Sequence, residues 1–231
     1  MRDAFQGELD HLRNGLVEMT QLVGFAMARA TTALLEADLA LAESVISHDK
    51  TIDQRRDELE EKACDLLVRQ QPVVATDLRT VITSLQMTAD IERMGDLALH
   101  VAKVARMRYP SSAVPPEMVA LLMEMGHLAQ RIVTKAGSVV ASRDVSAALA
   151  LEASDDQMDR LHAQMFRALM SPDWPHGIQT AVDLSQLARF YERYADHAVS
   201  VARRVVFLVT GEWPNTPETE GPDAFTAGPT D

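Results

Sequence analysis

The residues in this chain best suited to chemistry are carboxylates, and they recur in matched pairs. Glu92-Arg93-Met94-Gly95-Asp96 and Glu192-Arg193-Tyr194-Ala195-Asp196 each place a Glu four residues before an Asp, with an Arg directly after the Glu. On a helix, residues at that spacing share a face one turn apart. Two like charges so placed repel by ~0.2–0.5 kcal/mol unless a cation or an arginine offsets them. Each half of the chain carries a second acidic pair, Asp49 with Asp53 and Asp155 with Asp159. Oxygen donors of this kind suit hard ions such as Mg, Mn, Ca or ferric iron, and bridging carboxylates allow a multinuclear cluster. The competing reading is a solvated acidic face neutralised by Arg55, Arg56, Arg93, Arg160 and Arg193. Surface ion pairs are worth only ~0–1 kcal/mol, a weak reason for eight acids to recur in register. Metal binding is therefore the stronger reading.

Other chemistries find little support. There is no Gly-x-Ser-x-Gly, no Gly-x-x-x-x-Gly-Lys phosphate loop and no plausible Cys–His pairing. Helical di-iron proteins use Glu-x-x-His elements, and Glu8–His11 and Glu124–His127 match that spacing. The two are not equivalent positions of the repeat described below. Asp159 and His162 are spaced similarly, but the first half has Arg56 at that place. The reading is a non-enzyme, with a carboxylate-bridged metalloenzyme as the alternative. Cys64 lies among Glu60, Glu61 and Asp65, which oppose thiolate formation, so it is expected to be a small core residue. A single cysteine rules out an internal disulfide and fits a reducing cytoplasm. The net charge of −12 argues against nucleic acid, whose phosphates need clustered Lys and Arg. No apolar stretch is long enough to span a bilayer, and no secretory signal opens the chain, so a cytoplasmic protein is expected.

The elements that must position these acids are helices. Ala, Leu, Met, Glu and Arg dominate, and aromatics make up only 5%. Leu9, Leu12, Leu16, Met19, Val23, Met27, Ala30, Leu34, Leu41 and Val45 recur in steps of three and four with one gap of seven, predicting one helix over 8–47. A second helix is predicted to open at Asp49 and end at Pro72. A third is capped by Thr76 or Asp77 and runs through Leu78 to Val104, stopping at Pro110. After the Pro110–Pro116 linker the pattern resumes from Met118. A break near Ser142-Arg143-Asp144 is optional, and a fifth helix opens at Asp155. The Ser171–Gly177 turn leads to a sixth helix from Ile178 to Val205. From Gly211 a Pro-, Thr- and acid-rich tail is expected to be disordered.

The two halves are copies of one unit. A shift of 106 carries Met19 onto Met125, Asp38 onto Asp144, Asp49 onto Asp155 and Asp53 onto Asp159. A shift of 100 carries Gln86 onto Gln186, Glu92 onto Glu192 and Asp96 onto Asp196. The fold class is therefore all-α: two tandem, pseudo-symmetric three-helix bundles, six helices in all, over residues 1–109 and 110–210, with 211–231 as the tail. In an antiparallel hairpin, residues at one level share a midpoint. Asp49 with Asp96, and Asp53 with Glu92, are both centred between Pro72 and Val73, where the turn is predicted independently. Asp155 with Asp196, and Asp159 with Glu192, are both centred between Pro175 and His176. Each bundle is thus predicted to hold four carboxylates at one level.

These features resemble the PhoU family, including its actinobacterial members. The resemblance is carried by the doubled Glu-x-x-x-Asp, by Gln70-Gln71-Pro72-Val73-Val74-Ala75-Thr76-Asp77-Leu78-Arg79, and by the opening Met1-Arg2…Phe5…Leu9…Leu12. It covers residues 1 to about 212 and leaves out the tail. It implies two similar three-helix bundles carrying multinuclear metal clusters, iron in some cases. The metal ligands it implies here are Asp49, Asp53, Glu92, Asp96, Asp155, Asp159, Glu192 and Asp196. Arg93 and Arg193 would neutralise or orient them, and Tyr194 in place of Met94 would change access to the second cluster. The resemblance further implies a cytoplasmic negative regulator of phosphate uptake and of the phosphate-starvation regulon. Its partners would be the ATPase subunit of a phosphate ABC transporter and a sensor histidine kinase, and it would commonly be a homodimer.

Overall fold

The structure, a computed structural model, describes residues 2–69 and 74–214. Every regular element in them is helical: α1 (Arg2–Glu36), α2 (Leu39–Arg69), α3 (Ala75–Arg108), α4 (Pro116–Ser142), the short α5 (Val145–Leu149), α6 (Glu152–Leu169) and α7 (Gly177–Thr210). Helices α1, α2 and α3 make one bundle, and α4, α6 and α7 the other, with α5 as a one-turn prelude to α6. The expected turn at Gln70–Val73 and the tail from 215 onward lie outside the described residues.

The predicted stripes form the core. Leu12, Leu16, Met19, Val23, Met27 and Leu34 of α1 are almost fully buried, as are Met125, Leu128 and Ile132 of α4. The buried side chains of both bundles belong to a single cluster, so the halves share one core. They meet through two antiparallel helix pairs, α1 with α4 and α3 with α7. Along the first pair, Gly126 packs on Thr31 and Gly137 on Thr20, so close that an added Cβ would stand 2.7 and 2.5 Å from those side chains. The shift of 106 exchanges these two contacts, which makes them mates about a pseudo-two-fold axis. Along the second pair, Arg108 grips the buried Asp183 through Nε and Nη2 at 2.5 and 2.8 Å. Further along, Asp90 accepts from Arg204 Nε at 2.6 Å and pairs with His197 Nδ1 at 3.2 Å. Helices α2 and α6 pack on the outside of this four-helix centre.

Several boundaries differ from expectation. The first long helix stops at Glu36, not at residue 47. Ala37 takes a left-handed conformation with φ of 51°. Asp38 then caps α2, its Oδ1 accepting from Leu41 N at 2.9 Å. The seven-residue gap between Leu34 and Leu41 was the trace of this turn. Its repeat mate is built alike: Arg143 has φ of 57°, and Asp144 Oδ1 accepts from Ala147 N at 3.0 Å. The break treated as optional there is real in both halves. Asp49 therefore lies well inside its helix rather than opening it, whereas Asp155 stays in the first turn of α6. Helix α3 is preceded by Val74 rather than capped by Thr76 or Asp77.

Cys64 is exposed, not in the core. Ala63 takes the core position beside Leu59 and Leu66, and the next residue turns about 100° away. Leu78 and Ile178, which open the predicted third and sixth helical stripes, are exposed near the hairpin ends, as is Val182. At the start of the tail, Trp213 stacks on Phe207 with ring centroids 4.5 Å apart. None of the described helices is long and apolar enough to cross a membrane.

Candidate metal centre

The four acids of the first half occupy the facing sides of α2 and α3. Asp49 and Asp53 come one turn apart from α2, and Glu92 and Asp96 one turn apart from α3. Asp49 feels Asp53, Asp96 and Glu92, with Lys103 opposing them, so the structure brings all four acids within electrostatic reach. The second half repeats this on α6 and α7: Asp155 feels Asp196 and Asp159, and Glu192 feels both as well.

Burial and like charge together push several of these carboxyls upward. Asp49 is raised first by its burial and then by Asp53. Glu92, only 13% exposed, is raised first by burial and then by Asp96. Glu192, also 13% exposed, and Asp196 are raised by burial before any neighbour. The largest effect falls on Asp155, which burial, Asp196 and Asp159 push up to about 7. Such a set favours arrival of a cation, because a bound ion relieves the repulsion among them.

The arginines divide the two clusters. In the first, Arg56 crosses from α2 to donate Nη1 to Glu92 Oε1 at 2.9 Å and stands 4.0 Å from Asp53. Arg93 donates to Asp96 Oδ2 at 2.9 Å and lies 3.7 Å from Glu92. Two guanidinium groups thus bear directly on the four acids. In the second cluster, Arg193 enters no ion pair among the described residues, so the repeat does not extend to its role. The direct cation is Arg189, which pairs with Glu192 from one turn earlier on the same helix. Arg203 is engaged with Glu152 at 2.8 Å.

What remains in the second half is a set of polar atoms with nothing to bind. Asp155 Oδ1, Glu192 Oε2 and His162 Nε2 are each buried without a hydrogen-bond partner. His162 lies within electrostatic reach of Asp159, Asp196 and Arg189, and its ring tilts against Phe166 at 4.8 Å. Burial, with Arg189 next, depresses its pKa, which keeps an imidazole lone pair available. Buried groups of this kind are normally satisfied, and an ion is one way to satisfy them. The donor set fits a cation, but as a set of donors rather than a finished cage. Among the described residues, no three His, Cys, Asp or Glu side chains are gathered closely enough to hold one ion.

Two residues stand apart from their expected roles. Tyr194 is fully buried in the core, its hydroxyl unpartnered and its pKa raised by burial. It therefore does not control access to the second cluster. Arg189 was missed, although the hairpin midpoint between Pro175 and His176 that pairs Asp159 with Glu192 also pairs His162 with Arg189. The corresponding pair in the first half is Arg56 with Ala89. The arginine at this level has changed helices between the repeats, a swap that only hairpin arithmetic on the bases would have revealed.

A family model described as the PhoU domain matches the chain twice, over residues 16–105 and 122–205. The phosphate-specific transport system accessory protein PhoU homolog 2 of Mycobacterium tuberculosis is 50% identical over 214 residues, covering 93% of this chain and 100% of that protein. The corresponding homolog 1 of Mycobacterium leprae is 48% identical, covering 96% and 99%. Among solved structures, PhoU from Pseudomonas aeruginosa superposes with a TM-score of 0.82 at 32% identity, over 90% of this chain and 100% of that one.

Proposed function

The chain belongs to the PhoU family, and from that premise we propose that it is an accessory protein of a phosphate-specific transport system, acting as a metal-binding adaptor rather than an enzyme. In this reading it sits in the cytoplasm as a homodimer. It contacts the ATPase subunit of a phosphate ABC transporter and a sensor histidine kinase, and represses both uptake and the phosphate-starvation regulon. The observation that carries the proposal is the relative of 50% identity whose whole length this chain covers and which is named as an accessory protein. The matched carboxylates on both hairpins support the metal-binding half of the reading.

Asp155, Asp159, Glu192 and Asp196 would hold ions on the second hairpin, and Asp49, Asp53, Glu92 and Asp96 on the first. A bound iron, manganese, magnesium or calcium ion would supply positive charge that ties two helices together through shared carboxylates. The chain's own contribution is to hold like charges on two rigid helices at one level, with arginines limiting their repulsion. Such a hairpin changes its surface charge when the ion comes or goes, which suits it to report on cations or to present a charge-defined face to partners.

Deletion tests the regulatory role. Without the protein, phosphate-starvation genes should be expressed in phosphate-rich medium; continued repression would refute that role. For the metal, protein purified without chelator should carry at least one ion per chain by elemental analysis, and Asp155→Asn with Glu192→Gln should lower that content. Metal-free protein from a cation-rich buffer would refute it.

A further inference from the structure

Arg93 and Arg193 follow Glu92 and Glu192 by one residue, which turns them about 100° away from those acids. Both are exposed, on the outward side of the α3–α7 pair. Steps of four and seven put Ile82 and Met107 on the same side of α3, and Val182 and Arg189 on the same side of α7. Resting on the adaptor reading above, we propose that this α3–α7 face is the docking surface for a partner protein whose own face is acidic in the middle and apolar at both ends.

Charge carries the proposal first. Helices α3 and α7 hold nine Arg and Lys against seven Asp and Glu, whereas the whole chain has 22 against 34. Of the seven acids, Asp90 and Asp183 are largely buried and taken by Arg204 and Arg108. Glu92 and Glu192 turn toward α2 and α6. Arg93 answers Asp96 and still stays 63% exposed. Arg193 and Lys103 are exposed and enter no ion pair among the described residues. A basic band thus crosses one face of a strongly negative protein.

Apolar surface carries it second. The register set by Arg108 on Asp183 places Ile82 level with Val209, and Tyr109 level with Val182. All four are 45–50% exposed. Leu78 extends the first patch and Ile178 the second. The shift of 100 exchanges the patches, carrying Ile82 onto Val182 and Tyr109 onto Val209. They lie about 40 Å apart along α3, one at each end of the basic band. Apolar groups gathered and repeated in this way differ from side chains scattered singly over a surface.

The same features select the occupant. A second copy of the chain would set Arg93 and Arg193, near the middle of the face, against their own counterparts, and like charges so placed are costly. An anionic membrane would repel a chain of net charge −12. An acidic protein surface meets only the local band, and its carboxylates complement it.

The test uses the full chain, with two full-length probes encoded by the same genome: the purified ATPase subunit of the phosphate ABC transporter and the detergent-solubilised sensor kinase. Wild type should bind at least one of them by biolayer interferometry, with an affinity that falls as salt is raised. Arg193→Glu with Lys103→Glu should weaken that binding by about tenfold or more. Ile82→Asp with Val182→Asp should weaken it by about tenfold. Arg131→Glu, on the opposite α1–α4 side, should change it by about twofold at most. All five positions are exposed, and thermal unfolding checks that the variants stay folded. Binding that survives both double variants would overturn the face and leave the adaptor reading intact. Wild type that binds neither probe would overturn the adaptor reading, and this inference with it. Co-sedimentation with phosphatidylglycerol vesicles that the same variants abolish would reassign the face to a membrane and overturn the proposal. So would a wild-type dimer that they convert to monomers, which would make the face an interface between copies.

Discussion

The α2–α3 and α6–α7 hairpins carry the same four carboxylates at the same level, yet they contain the charge differently. On the first, Arg56 reaches across the hairpin and Arg93 bridges along its own helix, so part of the charge is offset within the protein. On the second, Arg189 binds Glu192 along one helix and the cross-hairpin Arg203 goes to Glu152 rather than to any of the four acids, while burial and like charge push Asp155 up to about 7 and Asp155 Oδ1, Glu192 Oε2 and His162 Nε2 stay without partners. A duplicated sequence motif is therefore not a duplicated site. The acids fix where charge accumulates, and the bases at the same level decide whether a further cation is wanted.

The same inequality runs through the seam between the halves, where it should have its largest energetic effect. Asp183 and Thr83 are repeat mates on α7 and α3. Asp183 is buried and held by Arg108, whereas Thr83 is buried with its hydroxyl unpartnered. Asp183→Ala leaves the Arg108 guanidinium without its acceptor on the seam and should lower stability clearly in chemical denaturation. Thr83→Val deletes an unsatisfied hydroxyl at nearly constant volume and should change stability by no more than about 0.5 kcal/mol. Equal losses at the two positions would show that the seam is symmetric after all.

The arginine swap gives the next effect. Arg56→Ala leaves Glu92 buried without its cross-hairpin donor and should lower metal-free stability by about 1.5 kcal/mol. Arg189 is more than half exposed and bonds within one helix, so Arg189→Ala should cost less than about 1 kcal/mol. Thermal unfolding in chelator measures both, and a reversal of that order would break the comparison.

Much of this arrangement was legible in the chain, though not all. The hairpin midpoints placed the acids because antiparallel helices keep register over one short connection, and each acid pair shares a face by simple periodicity. The turn at Ala37 was not legible. Alanine is the best helix former, and its left-handed conformation is imposed by α1 having to fold back onto its own bundle. Only the gap between Leu34 and Leu41, and Asp38 as a cap, betrayed it. Tyr194 was misplaced because its polar tip suggested a site, whereas its position one turn from Tyr191 on the core stripe required burial. Arg189 is not legible from the motif itself, because it lies outside the Glu-x-x-x-Asp string and reaches Glu192 from the preceding turn.

Acidity separates the clusters again. Asp155 is raised in the folded protein, so the native state holds its proton more tightly than the unfolded chain does. Below the unfolded value of 3.8 the carboxyl is neutral in both states and costs nothing; as pH rises toward about 7 the native state is progressively penalised. Metal-free stability should therefore decline between about pH 4 and pH 7 on this account. Asp155→Asn should flatten that decline and add about 1 kcal/mol at pH 7.5, after allowance for the solvent that reaches a half-buried group. Asp49→Asn should act in the same direction and more weakly, since Asp49 is raised by the same kinds of cause but lies nearer solvent and is opposed by Lys103. If Asp49→Asn has the larger effect, the first cluster is the more strained of the two.

The smallest effect comes from the one feature the halves share most closely. Ala37 and Arg143 hold φ of 51° and 57° immediately before the capping residues Asp38 and Asp144. A residue with a Cβ pays to adopt that conformation and glycine does not. Ala37→Gly should therefore stabilise by about 0.5 kcal/mol, since the native gain exceeds the added freedom of the unfolded chain. The backbone gain at Arg143→Gly should be the same, but there the partly buried side chain lines a cavity with Leu9, Leu16 and Val140. Its aliphatic stem covers apolar surface that glycine would expose. The net change at Arg143 should fall below that at Ala37 and can reverse its sign. Equal gains by thermal unfolding would mean that the Arg143 stem contributes nothing, and that this turn is where the repeats remain truly equivalent.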